Sequence, residues 1–266
     1  MNSGLTIIDK PPGITSFKAL FAIKKRFNTK RVGHAGTLDL SASGLIVAAI
    51  GKCTRLLPYI EAQDKIYSFD LHLGILTDTL EPTGNILKQD DNAARTAEDI
   101  DRVLQTFIGE IEQVPPMFSA IKINGKRASD LALKGLEVEL KSRKVFIHEL
   151  RRIGESSIYC KCSKGTYIRS LARDIAEKLG TYGVAGNIRR LAIGGLSVEQ
   201  ACDRLIPPQE LFDWQIVNVG DEDARKILNG MPVQVAGENF VFIARNGNII
   251  AVAEAQNGYL IPKFQL

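Results

Sequence analysis

No stretch of the 266-residue chain comes near the roughly 20 consecutive apolar residues of a membrane-spanning helix. The best candidate, VGHAGTLDLSASGLIVAAIG at 32–51, is too rich in glycine and polar residues. The opening MNSGLTIIDKPPG has neither a basic start nor a long apolar segment. No secretory signal and no membrane partner are therefore expected, and the expected compartment is the cytoplasm. Cysteine is scarce: Cys53, Cys160, Cys162 and Cys202. No second cysteine or histidine pair stands at ligand spacing, so no metal is expected. A chain of this length does not depend on disulfides, and the thiols read as reduced. Cys160 and Cys162 alternate within SIYCKC and are expected on opposite faces of a strand. There is no GxSxG elbow, which disfavours a Ser/His/Asp hydrolase. The main glycine-rich stretch, GHAGTLDLSASG at 33–44, has no GK[ST] and no dinucleotide spacing.

The chain does have an ordinary globular balance, with 45% hydrophobic and 24% charged residues, and an uneven distribution of charge. KKRFNTKR at 24–31 carries five cations and no anion. Residues 115–148 hold seven Lys or Arg against three acids, whereas 88–112 hold seven acids against three bases. Separated basic blocks fit a polyanion partner, and equally fit solvated surface charge.

Patterning gives the elements. LTIID reads as a strand, then TSFKALFAIKKRF as a helix capped by Thr15 or Ser16, with Phe17, Leu20, Phe21 and Lys24 at helical spacing. GLIVAAIG reads as a buried strand, and KIYSFDLHLG alternates with Tyr67, Phe69, Leu71 and Leu73 on one face. TAEDIDRVLQTFIG is the clearest helix, opened by Thr96 and Asp99 and stopped by Gly109. VPPMFSAIKINGKR reads as a strand entering an Asn124-Gly125 turn, SRKVFIHELRRI and SIYCKC as a strand pair, and GTYIRSLARDIAEKLG as a helix. Hairpins and helices together indicate an α+β protein with a mixed, largely antiparallel sheet. IPPQELFDWQ at 206–215 marks a composition break. Beyond it come one short helix and short strands punctuated by Asn246-Gly247 and Asn257-Gly258. So small a β-rich module is expected to dock on the main domain.

Three places hold candidate chemistry. His34 and Asp39 lie in the glycine-rich stretch, where they could equally be turn residues. In KCSKGTYIRSLARDI, Thr166 can cap a helix with Tyr167 and Arg169 in its first turn. Arg169 is either a surface cation or the partner of a buried carboxylate, which it would keep ionised. Tyr67 is either core or a stacking platform for a base.

Six segments, taken in order, resemble the bacterial tRNA pseudouridine synthase B family (TruB): DKPPGITS, GHAGTLDLSASGLI, KIYSFDLHLGILTDTLEPTG, PPMFSAIKINGKRA, CSKGTYIRSLARDI and IRRLAIGGLS. The resemblance implies a pseudouridine synthase fold over 1–210, an RNA-gripping insertion at 115–145 and a short PUA-like RNA-binding module over 211–266. It implies isomerisation of the T-loop uridine of tRNA, conventionally uridine 55, with no cofactor, no obligate protein partner and a monomeric state. By position it makes Asp39 the catalytic carboxylate, Tyr67 the residue stacked on the target base and Arg169 the carboxylate's partner. Tyr167 and Leu191 would line the uracil pocket. His34 would enter the space left by the flipped base. Lys10 and Pro11 form the KP motif beside the site. Lys122, Lys126, Arg127, Lys141 and Arg143 are expected on the RNA backbone. Leu40 stands where the family usually has proline, Ser129 where tyrosine is usual, and Leu133 where arginine is common.

Such a reaction breaks N1–C1′, rotates the uracil and forms C5–C1′. It needs no redox cofactor, but water must be kept from the intermediate and the base must be flipped. A rival of another class is a non-catalytic tRNA-binding or tRNA-folding protein on the same scaffold, which would need the basic grip without a carboxylate–arginine pair. A glycosidase would need two suitably spaced carboxylates, and one strong candidate is visible.

Overall fold

The computed structural model describes residues 3–119, 121–123, 125–132 and 140–266, with backbone alone at 122–123 and 126–127. Asn124, Leu133 and the side chains of Lys122, Lys126 and Arg127 lie outside the described residues.

The chain opens with β1 (Gly4–Lys10), α1 (Ser16–Arg26), β2 (Val32–Ala35) and β3 (Ser43–Ile50), then α2 (Leu57–Glu61) and β4 (Lys65–Leu73). Next come β5 (Ile75–Thr77), β6 (Ile86–Gln89), α3 (Ala97–Gln105) and β7 (Gly109–Gln113). The short pieces β8 (Lys122–Ile123), β9 (Lys126–Arg127) and α4 (Ala128–Ala132) precede β10 (Arg143–Arg152) and β11 (Ser157–Cys162). α5 (Ile168–Lys178), β12 (Gly183–Ile193) and β13 (Leu196–Ser197) complete the main part. The C-terminal part is β14 (Gln215–Asn218), α6 (Asp221–Leu228), β15 (Phe240–Arg245), β16 (Asn248–Gln256) and β17 (Tyr259–Gln265). No helix among the described residues is long and apolar enough to cross a membrane.

The main sheet runs β1-β3-β12-β4-β11-β10-β7, with β2 added on β3 and β13 on β12. All its pairings are antiparallel except β12 with β3, where only Arg189↔Ser43 and Arg190↔Gly44 pair. Gly44 permits that approach: a Cβ there would stand 2.2 Å from the Arg190 carbonyl oxygen, and its φ of +102° suits glycine alone. One core packs α5 and α3 on the sheet, with Phe69, Leu104, Ile147, Leu171 and Ile175 inside.

The alternation of β4 and the cap of α3 by Thr96, whose hydroxyl accepts the Asp99 N–H, follow the sequence pattern. Four readings change. α3 ends at Gln105 and Gly109 opens β7 instead of stopping the helix. The strand expected in VPPMFSAIKINGKR shrinks to the paired dipeptides β8 and β9. Cys160 and Cys162 are both fully buried in the same core, because residues two apart on a strand share a face. On α1, capped by Thr15, Ala19, Leu20 and Ile23 go inward while Phe17 and Phe21 stay 58% and 56% exposed.

The four strands β14–β17 form their own sheet, with positive φ at Asn246, Gly247, Asn257 and Gly258 in its two hairpin turns. Phe212, Phe242 and Val252 share a core with Leu5, Leu56 and Ile60 of the main part. Tyr59 lies edge-on to Trp214 and Phe240, ring centroids 5.3 and 4.8 Å away.

Candidate active site

Asp39 occupies the connection from β2 to β3, and the connection from β1 to α1 clasps it. Ser16, at the first position of α1 and buried, accepts the Leu38 N–H at 2.9 Å and donates to the Leu38 carbonyl at 3.1 Å. The Gly13 N–H donates to the Leu40 carbonyl at 2.8 Å. The fully buried Lys10 ammonium donates to the carbonyls of Pro11, Ile14 and Leu40 at 3.0, 2.8 and 3.5 Å. Burial lowers the Lys10 pKa; the Asp39 charge opposes that shift and Arg190 adds to it. Pro11 itself is exposed.

Arg169, in the first turn of α5 and 4% exposed, reaches Asp39 within the same cleft. Its Nε stands 2.9 Å from Asp39 Oδ2, although the N–H does not point along that line, so the contact is an ion pair by proximity. Its two terminal nitrogens donate to the carbonyls of Thr79 and Phe118, each at 2.8 Å. The guanidinium is thus fixed from three directions while the Asp39 side chain remains 43% exposed to the cleft.

That cleft encloses about 700 Å³, and its walls include Asp39, Tyr67, Arg143, Tyr167, Arg169 and Ile188. Tyr67 lies on β4 opposite Arg190 of β12. Burial raises the Tyr67 phenol pKa and keeps it protonated, against the pull of the Arg190 charge. Arg190 is fully buried; Nε donates to the Leu45 carbonyl at 2.8 Å and Nη2 to the Gly36 carbonyl at 2.9 Å. Lys65 also lines the cleft and is buried, donating to the carbonyls of Glu61 and Gln63. Burial, reinforced by Arg190, lowers its pKa to about 8.

His34 sits on β2, three residues before Thr37, whose hydroxyl is 3.4 Å from its Nε2. Burial, then the Arg190 charge, lowers its pKa and favours the neutral ring. Tyr167 caps α5 by position only: its N–H donates to Gln113 Oε1 at 2.7 Å and its carbonyl accepts from Gln113 Nε2 at 3.1 Å. Thr166, the expected cap, turns its hydroxyl back to the Ser163 carbonyl. The Arg143 guanidinium lies 4.6 Å from the Tyr167 ring centre, in the lining of the cleft. Its Nε and Nη2 are buried and meet no acceptor among the described residues. Lys141 is exposed.

Ile188 and Arg190 of β12 line the cleft, and Leu191 is the half-buried residue next to Arg190. Two register shifts and the positive φ of Asn187 break the simple alternation of β12, and one of the shifts falls at Leu191. Sequence reasoning also missed Ser16, Lys65, Gln113 and Arg190. The last is the second of two adjacent arginines, and only the first, Arg189, is tied to an outward carboxylate, Asp9. No cluster of His, Cys, Asp or Glu suited to a metal ion occurs among the described residues.

A model of "TruB family pseudouridylate synthase (N terminal domain)" matches residues 24–168. The tRNA pseudouridine synthase B of Borreliella burgdorferi (strain ZS7) is 38% identical over 96% of this chain and 95% of its own. That of Caulobacter sp. (strain K31) is 35% identical over 98% of this chain and 94% of its own. Among solved structures, a chain of a Cbf5-Nop10-Gar1 complex superposes with a TM-score of 0.69 at 21% identity, covering 98% of this chain and 84% of that one, a likeness of fold. Sequence agreement of this extent, over nearly the whole of both chains, places the protein in the TruB family of pseudouridylate synthases.

Proposed function

We propose that the protein isomerises the T-loop uridine of tRNA, uridine 55 by convention, to pseudouridine. The carrying observation is the ion pair between Asp39 and Arg169, brought together from distant parts of the chain in one cleft whose lining includes Tyr67. The names of the relatives, tRNA pseudouridine synthase B, support tRNA as the substrate. In this reading the uridine is flipped into the cleft, and Tyr67 stacks on the base. His34 fills the gap left in the loop, offsetting an unstacking cost of a few kilocalories per mole. Asp39 acts as an ionised carboxylate toward the ribose while N1–C1′ breaks. The uracil turns within walls that include Tyr167 and Leu191, and C5 bonds to C1′. The proton lost from C5 balances the one gained at N1, so no redox partner is required. Tyr67, held protonated by burial, stands where it can share in the proton transfer at C5.

Residues 1–210 form the catalytic unit and 211–266 a PUA-like RNA-binding module, acting as a cytoplasmic monomer without an obligate protein partner. Lys122, Lys126, Arg127, Lys141 and Arg143 of the 115–145 insertion serve the phosphate backbone. A purely RNA-binding protein on this scaffold is disfavoured by the same ion pair, which gives a grip nothing.

The test is tritium release from tRNA carrying C5-tritiated uridine. The wild type should release tritium, and Asp39→Ala should release none while still binding tRNA. Tight binding by the wild type without release would favour the RNA-binding reading, and undiminished release by Asp39→Ala would remove Asp39 from the chemistry.

A further inference from the structure

The outer face of α1 is built unlike a solvated helix face. Phe17 and Phe21, one turn apart, are each more than half exposed, and their rings meet edge-on with centroids 5.3 Å apart. The Lys24 ammonium stands 5.0 Å from one ring centre and 5.4 Å from the other. Lys24, Lys25 and Lys30 pair with no carboxylate among the described residues, and the first turn of α1 has no acid to balance the basic last turn. Exposed aromatics of this size are costly to leave in water, and a surface that keeps two of them beside a cation suits a π-faced anionic ligand.

The position of this face narrows the ligand. Ser16, the residue before Phe17, is hydrogen-bonded through its side chain to Leu38, the residue before Asp39. Leu40, the residue after Asp39, is 58% exposed, and its carbonyl accepts the Gly13 N–H at the entry to α1. The aromatic end of α1 therefore adjoins the loop that carries Asp39, and its cationic end runs on into KKRFNTKR. For a polymer that places a uridine at Asp39, the chain-adjacent nucleotides are the ligand nearest to hand for a face joined to that loop through Ser16 and Gly13.

We infer that Phe17, Phe21 and Lys24 form a stacking platform for an unpaired nucleotide adjoining the target uridine in the substrate RNA. The inference rests on the tRNA reading above. The rings offer a sequence-tolerant π-face, and Lys24 with Lys25 meets the adjacent phosphates.

Steady-state tritium release with wild type, Phe17→Ala/Phe21→Ala and Phe17→Tyr/Phe21→Tyr tests it, on full-length tRNA and on an isolated T-arm stem-loop. The alanine pair should raise KM about tenfold on both substrates, the scale of one lost base stack, with the smaller change in kcat. The tyrosine pair should restore KM, since the π-face is kept. A stem-loop with 5-iodouridine beside the target should photo-crosslink to the peptide holding Phe17 and Phe21. An unchanged KM for the alanine pair, a defect confined to full-length tRNA, or a crosslink elsewhere would overturn the platform. So would sedimentation showing a wild-type dimer that the alanine pair dissolves, because the face would then bind a second copy. If the wild type itself releases no tritium, the proposed function fails; the crosslink judges the platform separately.

Discussion

Two surfaces meet at the loop that carries Asp39, and they handle positive charge in opposite ways. On the cleft side Lys10, Arg169 and Arg190 are buried, and each donates to main-chain carbonyls, among them those of Pro11, Ile14, Thr79, Phe118, Leu45 and Gly36. On the outer face of α1 the cations stay near water, and Lys24 rests over two phenyl rings. Burying a cation costs several kilocalories per mole unless hydrogen bonds and an opposite charge offset it. Here the carbonyls and Asp39 do so, and the resulting dipoles are oriented before any substrate arrives. The outer cations keep their freedom, which suits gripping a flexible polyanion. The difference separates a region built to hold one geometry from a region built to accommodate.

Breaking the rigid side should have the largest effect. Arg169→Lys keeps the charge but cannot reach Thr79, Phe118 and Asp39 together, because an ammonium has no planar fork. Tritium release should show kcat falling about 100-fold, as for loss of one preoriented electrostatic contact, with a smaller change in tRNA affinity. A near-normal kcat would mean that charge alone suffices. Ser16→Ala comes next. It leaves the buried Leu38 N–H and carbonyl without their partner, and denaturant titration should show a loss of about 2 kcal/mol. A stability loss with unchanged kcat would show that the Asp39 loop is held well enough by Lys10 and Gly13 alone.

The smallest effect concerns Lys65. Its pKa falls in the folded protein from the ordinary 10.5 to about 8, so below that value the folded state binds its proton less readily than the unfolded chain. The penalty is present below about pH 8 and fades as pH climbs toward the unfolded value. Stability should rise by about 1 kcal/mol from about pH 8 to about pH 9 on this account. Lys65→Met should flatten that rise in denaturant titrations, and an unaltered slope would place the lysine charge in water.

Much of this arrangement was legible in the sequence. Alternation in β4 put Tyr67 on a defined face, and the hairpin turns announced themselves through Asn-Gly pairs. The resemblance brought Asp39 and Arg169 together across a long separation, and the fold joins them. What was not legible depended on context. Helical spacing is the same for a buried stripe and an exposed one, so Phe17 and Phe21 could not be told from Leu20. The irregularities of β12 interrupt its alternation, so the pattern alone could not mark Ile188 and Arg190 as lining the cleft. Nothing in two adjacent arginines says that one lies on the surface against Asp9 and the other under the sheet. Thr166 has the right chemistry for a cap, but its hydroxyl donates back to the Ser163 carbonyl and the helix begins one residue later, with Tyr167 in the cap position.

The seam between the two parts has a consequence of its own. Trp214 is the chain's only tryptophan, and it lies there among Tyr59, Phe212, Phe240 and Phe242. Any shift in how the C-terminal sheet rests on the rest of the molecule changes the polarity around that indole before it changes much else. The colour of its fluorescence is therefore an optical gauge of the seam, built into the chain and needing no label.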